Sequence, residues 1–203
     1  MSTRFFCSDH HFDHSNIIKF TRADGCTPVR DFSSVDEMNE HMIERHNSVV
    51  KANDVVYFLG DVTIPRRGLR HIARLNGKKR LIMGNHDVFT KNQNRDYYEA
   101  GFERCSAFHK FDRFVATHIP VHPQQVSTRW AANVHGHLHT NRVTITKVIE
   151  TPDYRGGYNT RTEEVPDPRY FCVCVEQLDD YRPISMEEIH DKLPAGLINA
   201  PNS

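Results

Sequence analysis

The order of apolar segments along the chain predicts an α/β protein. Short, continuous apolar runs at Phe5–Cys7, Val55–Leu59 and Leu81–Met83 read as strands buried on both faces. Two stretches with helical spacing lie between them. Strand, helix, strand, helix, strand is the order of a sheet built through crossover helices.

The clearer helix is VDEMNEHMIERHNSVVKAND, where Val35, Met38, Met42, Ile43, Val49 and Val50 recur on one face behind Ser34 as N-cap. A second helix is expected over Arg66–Asn76, stopped by Gly77, with Leu69, Ile72 and Ala73 facing inward. Further strands are expected at Phe114–Thr117, Asn133–His135 and Phe171–Val175, before a final strand and helix. The stretch FERCSAFHKFDRFVATH has the pattern of an antiparallel hairpin. TPDYRGGYNTRTEEVPDP, 151–168, is rich in Gly, Pro and charge and reads as an exposed loop or insertion. The length of 203 residues fits a single domain over 1–203.

The 26 basic and 26 acidic residues cancel, so no global field draws the chain to nucleic acid or to an anionic membrane. No apolar stretch reaches the roughly 18 residues of a membrane span, and the N-terminus lacks the pattern of a signal peptide. A cytoplasmic protein with no membrane partner is expected. Five cysteines without CxxC spacing read as reduced, structural thiols, and Cys172 and Cys174 share a face of their strand.

The 14 histidines are the compositional oddity, and their placement carries the functional argument. Asp9 and His11 follow the first strand, where continued strand alternation would point both side chains the same way. Gly60-Asp61 follows the second strand and Gly84-Asn85-His86-Asp87 the third; His118 follows FVAT, and His137 and His139 fall in NVHGHLHTN. Each cluster alone is ordinary turn chemistry. Together they are five clusters of O and N ligand types, each ending an expected strand, and loops at the carboxyl ends of parallel strands share one edge of a sheet. Their sum suffices to ligate two divalent ions.

The ordered set Asp9-x-His11, Gly60-Asp61, Gly84-Asn85-His86-Asp87, His118 and Gly136-His137-Leu138-His139 resembles the signature of calcineurin-like metallophosphoesterases. The beginning SDHHFDHSNII and the end DPRYFCVCVEQLDDYRPISMEEI look like the small single-domain bacterial and phage-encoded members. The resemblance implies a four-layer αββα sandwich of two mixed sheets flanked by helices. It also implies that Asp9, His11 and His139 bind one metal, that Asn85, His118 and His137 bind a second, and that Asp61 bridges both. A carboxylate bridging ions about 3.5–4 Å apart lets one hydroxide span them and attack phosphorus in line. His86 would protonate the departing oxygen and Asp87 would orient His86. Mn²⁺ is the first expectation, and Fe, Zn, Ni or Mg also suit Asp, Asn and His donors.

His10 is expected to point away from the site. Asn85, His14 and His122 are candidates for contact with substrate. Arg66, Arg67, Arg70 and Arg74, followed by Lys78, Lys79 and Arg80, form a local basic stretch that is either a solvated helix face or a phosphate-tracking patch. The expected function is a dinuclear metal-dependent phosphodiesterase acting on a nucleotide or nucleic-acid type diester. The first alternative is a phosphomonoesterase of the protein-phosphatase type. Those relatives continue GDxVDRG where this chain has GDVTIPRR, so that Arg66 or Arg67 would have to replace their arginine. The other alternative is a non-catalytic scaffold on the same fold, disfavoured because no ligand position is missing.

Overall fold

A computed structural model describes residues 2–87 and 93–193. In chain order the elements are β1 (Arg4–Cys7), α1 (Val35–Val49), β2 (Val55–Phe58), β3 (Lys78–Ile82), α2 (Gln93–Ala100), β4 (Phe102–Ser106), β5 (His109–Lys110), β6 (Phe114–Thr117), α3 (Gln125–Thr128), β7 (Ala132–His135), β8 (Thr144–Pro152), β9 (Tyr158–Pro166), β10 (Tyr170–Cys172), β11 (Ile184–Ser185) and α4 (Met186–Lys192). The first sheet has the order β11-β1-β2-β3-β4, parallel except for β11. The second has the order β10-β7-β6-β5, parallel except for β5. The protein is therefore mixed α/β with two mixed sheets and helices.

The sheets meet through aromatic rings. Phe6 of β1 packs against Phe111 at 5.2 Å and Phe114 at 5.7 Å, and Tyr57 of β2 meets Phe111 at 4.9 Å. Phe6 and Phe114 are fully buried, and burying such a side chain contributes about 1.5–3 kcal/mol. Phe58 points to the other face of the first sheet, as strand alternation requires. There it meets His46 of α1 at 5.8 Å. Ser34 caps α1 by accepting from the Glu37 amide at 3.1 Å, and Met38, Met42 and Ile43 are buried as the spacing predicts. At the edge where β1 ends, Ser8 bridges Cys174 in parallel, with its amide 2.9 Å from the Val173 carbonyl. That bridge ties the chain leaving the first sheet to the chain leaving the second.

Four expectations change. Arg66–Arg74 is a 3-10 helix, whose three-residue period aligns Leu69, Ile72 and Leu75 inward and leaves Ala73 exposed. The antiparallel hairpin within FERCSAFHKFDRFVATH is present but short, β5 paired with β6, whereas FERCS forms β4 and joins the first sheet beside β3. The final apolar run ends as a strand at Cys172, and Val175–Gln177 turns into a 3-10 helix. Finally, most of 151–168 belongs to a regular ribbon, β8 paired with β9 from Thr144↔Pro166 to Pro152↔Tyr158. Its charged and Thr-rich sequence reflects two solvated faces, which alternation with a single apolar face does not describe. No helix among the described residues is long and apolar enough to cross a membrane.

His46 is buried and turns its Nε2 to the Asn76 carbonyl at 3.0 Å. Burial lowers its pKa from 6.5 to about 4, against the partial opposition of that hydrogen bond. The fold therefore favours the neutral ring, and its contribution is present above pH 6.5 and lost as pH falls through about 4. Chemical denaturation of wild type and His46→Gln at pH 7 and pH 4 should show a wild-type loss larger by up to roughly 3 kcal/mol. Equal pH dependence would remove His46 as its source.

Candidate metal centre

Three loop segments meet at the carboxyl edge of the parallel strands. The amides of Asp9, His11 and Phe12 donate to the carbonyls of Gly60, Asp61 and Val62 at 2.9, 3.1 and 3.0 Å, so the first two loops are zipped by their backbones beyond the end of β1. The third segment is fastened through Asp87. Its fully buried carboxylate accepts from the amides of Asp61 (2.8 Å), Val62 (3.1 Å) and Gly84 (2.7 Å) and from the Tyr97 hydroxyl (2.8 Å). Burial raises the Asp87 pKa against the pull of these donors. Asp87, expected to orient the His86 ring, is instead committed to main-chain amides.

The local backbone is unusual. Six of the eight non-glycine residues with positive φ among the described residues lie in the first two of these loops and in the loop after β7: Asp9 (57°), His11 (50°), Asp13 (62°), Asp61 (51°), His137 (71°) and His139 (50°). The left-handed region is sparsely populated for such residues, and holding a side chain there costs about 1–3 kcal/mol. Strand alternation is therefore not what directs Asp9 and His11 together; the strand ends at Cys7, and alternate left-handed residues do the aiming. Close approach also fixes two glycines. A Cβ at Gly84 would strike the Asp61 carboxylate, and one at Gly136 would strike that of Asp9.

The ligand-type side chains gather into two groups, Asp9, His11 and His139, and Asp61, His118 and His137, with one donor atom from each residue within 4.8 Å of the others in its group. His11 Nε2 is 3.7 Å from Asp9 Oδ1, and His139 Nε2 is 3.8 Å from the same oxygen. Asp61 Oδ2 sits between the groups, 3.9 Å from His11 Nε2 and 3.4 Å from His118 Nε2. Donors about 2.0–2.2 Å from a common ion lie roughly 3–4 Å apart, so the spacing suits cations. Asn85 Oδ1 is 2.9 Å from His118 Nε2, which brings the third expected ligand block to the second group. Asp9 Oδ1 and His11 Nε2 are buried with no hydrogen-bond partner among the described residues. Buried polar atoms are rarely left so, and an ion between them would satisfy both.

Electrostatics point the same way. Burial alone would raise the Asp9 and Asp61 carboxyls, yet both lie below the ordinary carboxylate range because histidines surround them, His11, His118 and His139 for Asp9 and His118 for Asp61. Burial alone would lower His118, but its hydrogen bond to Asp61 and the charge of Asp9 raise it to about 9. The pocket recruits positive charge.

Outer contacts fix these groups, and they were not read from the sequence. His139 Nδ1 donates to Glu176 Oε1 at 2.9 Å, leaving Nε2 to face Asp9. Burial would raise Glu176, but Arg30, 2.6 Å away, and His139 hold it down. Arg30, itself fully buried, also donates to the carbonyls of His10 (2.6 Å) and Asp9. Cys174 Sγ lies 3.2 Å from Asp9 Oδ2, which also accepts the His137 amide at 2.8 Å, and Cys172 Sγ is 3.3 Å behind Cys174. Burial raises the Cys174 thiol, keeping it protonated and able to donate. Glu176 carried one signal, a carboxylate within the apolar run FCVCVEQ; Arg30, 146 residues away, carried none.

The remaining candidates divide. His86 is exposed, with its amide 2.9 Å from Asp61 Oδ1 and its ring 5.8 Å from that of His11. His14 is half-buried, 5.9 Å from the His11 ring. His122 is exposed and contacts the Gln124 amide. His10 is buried against Phe12 and Phe58, away from the ligands. Arg66 pairs with Asp96, and Arg67 and Arg70 pair with Asp13 at 3.5 and 3.1 Å. Arg74 pairs with Glu40 at 2.6 Å, so the basic helix is largely neutralised by its neighbours.

No family model matches the chain. It is 29% identical to an uncharacterized protein of Methanocaldococcus jannaschii over 199 residues, 96% of this chain and 93% of that one. It is 33% identical to the Gene 66 protein of Mycobacterium phage L5 over 95 residues, 43% of this chain and 41% of that one. Among solved structures it resembles a protein of unknown function from Aquifex aeolicus, with TM-score 0.62 and 25% identity over 94% of this chain and 99% of that one.

Asp87 and His86 are adjacent but should behave oppositely. Asp87→Ala strands three buried amides and should cost roughly 3 kcal/mol or more, with reduced metal retention. His86→Ala should match wild type in both denaturant midpoint and bound metal, measured by elemental analysis. Metal loss from His86→Ala would make it a ligand.

Proposed function

We propose that the chain is a dinuclear metal-dependent phosphohydrolase of the calcineurin-like type, acting by preference on phosphodiesters. The observation that carries this reading is Asp61 Oδ2 lying between His11 Nε2 and His118 Nε2, at 3.9 and 3.4 Å, so that one carboxylate serves two ligand groups. Two mixed sheets meeting face to face, with α1 on the outer side of the first, are compatible with the αββα sandwich that such enzymes share. Two bound divalent cations supply Lewis acidity for activating water and for neutralising a phosphoryl group.

The protein's own groups account for the rest. Asp9 and Asp61 supply the anionic charge that retains cations, and His11, His118, His137 and His139 complete the shells as neutral donors. Asn85 offers an amide to the second position. His86 belongs to neither group, and its amide bond to Asp61 Oδ1 anchors the residue beside the shared carboxylate while its ring remains open to solvent. From there it donates a proton to the departing ester oxygen. The diester preference rests on charge: a monoester carries about one and a half to two negative charges at neutral pH, and Arg66 and Arg67, the candidates to clamp its terminal oxygens, are paired with Asp96 and Asp13.

Chelation should abolish hydrolysis and Mn²⁺ should restore it, whereas Asp61→Ala should lose both activity and stoichiometric metal. His86→Ala should retain metal and lose roughly 10²–10⁴-fold in kcat. Bis-aryl phosphate should exceed mono-aryl phosphate in kcat/KM at equal metal loading. A monoester preference above about tenfold, some 1.4 kcal/mol, favours the phosphomonoesterase reading, and full turnover by metal-free protein rejects the dinuclear one.

A further inference from the structure

Two cavities border the candidate metal centre, and their linings differ in kind. One, of about 430 Å³, ends on Asn85 and His118 and is walled by Met83, Phe108, Ile119 and Trp130. Among the described residues, no Asp, Glu, Lys or Arg lines it. Phe108 and Ile119 are 56% and 53% exposed, a costly arrangement for large apolar side chains beside a polar centre unless something covers them. The other, of about 460 Å³, includes His137 and His139 in its lining and is mixed, with Thr21, Arg22 and Asn141 beside Phe20, Val29 and Leu138. A phosphoryl group held between the two ligand groups would have one cavity beside Asn85 and the other beside His139.

We infer that the cavity beside Asn85 and His118 binds an uncharged, apolar alkyl or aryl ester group of a phosphodiester substrate. This rests on the phosphodiesterase reading of the metal centre. The lining selects against the other candidates by its chemistry. A nucleobase is read by hydrogen bonds to its edges, and this wall provides few polar side chains besides Asn85, Thr117 and His118. A continuing nucleic-acid strand needs cationic groups along its phosphates, and neither this wall nor the paired arginines of the 3-10 helix present them here. Ligand sites of this volume are typically apolar with a few fixed polar groups at one end, and in this cavity that polar end is shared with the metal centre. The opposite cavity is mixed, with Arg22, Thr21 and Asn141 set among Ile17, Phe20, Val29 and Leu138.

Trp130 is the single tryptophan of the chain, so its emission reports on this cavity without any turnover. The Mn²⁺-loaded protein should be titrated with two non-hydrolysable, singly charged probes, the monomethyl esters of octylphosphonate and methylphosphonate. The octyl probe should perturb Trp130 emission and bind at least tenfold more tightly than the methyl probe. Phe108→Asp and Ile119→Asp, both at exposed positions, should erase that preference while retaining bound metal. Equal affinity of the two probes, or an unchanged preference in both variants, overturns the inference. So does a uridine methylphosphonate ester that binds as tightly as the octyl probe. Hydrolysis of methyl 4-nitrophenyl phosphate separates the two proposals: turnover without an octyl preference rejects only the apolar subsite, and an octyl preference without turnover of any diester rejects the phosphodiesterase reading.

Discussion

Two carboxylates with almost no access to water, Asp9 and Asp61, set the terms for everything around them. Moving a carboxylate out of water is expensive, and leaving two near each other compounds the cost. The surrounding histidines, the His118 ring raised to about 9 and the unpartnered Asp9 Oδ1 and His11 Nε2 are all consequences of that decision. A cation bound between them would relieve that cost. The main chain contributes too, because Asp9, Asp61, His137 and His139 adopt left-handed backbone that the network of amide bonds around Asp87 and between the first two loops must hold in place.

Support for this arrangement comes largely from the far end of the chain. Glu176 and Cys174 lie directly after the last strand of the second sheet, and they address His139 and Asp9 through single contacts. Arg30 joins Glu176 to the carbonyls of the first loop. The loops of the two sheets are thus tied by the backbone bridge Ser8↔Cys174, by the His137 amide and Cys174 thiol on Asp9 and by a buried ion pair. A buried pair gains little net stability after desolvation; its value here lies in fixing the tautomer and orientation of the His139 ring.

Much of the site was legible because its information is local. Each ligand block is a few residues long and directly follows an apolar run, so Asp9, Asp61, Asn85, His118 and His139 could be placed on one edge once the strands were recognised. What alternation suggested for Asp9 and His11 reached the right grouping by the wrong geometry, since nothing in the sequence marks a left-handed Asp or His. Asp87 was misread for a related reason: three of its partners are main-chain amides, which carry no side-chain signature, and the fourth is the Tyr97 hydroxyl. Arg30 and Glu176 find each other only in three dimensions. At the level of the fold, β4 and β5 were merged because a hydrophobic pattern records burial without recording which sheet supplies it. The ribbon escaped because both of its faces are wet.

That ribbon has a further consequence. β8 and β9 pair along their full length and stand almost wholly exposed, while at their base the Asp167 amide donates to the Val143 carbonyl at 2.9 Å. The excursion from 144 to 166 is therefore already closed where it leaves the body of the protein, and β7 and β10 are paired to one another beneath it. Structurally it is an appendage whose base is closed independently of its length, so the pairing of β7 with β10 does not depend on how far the arm extends.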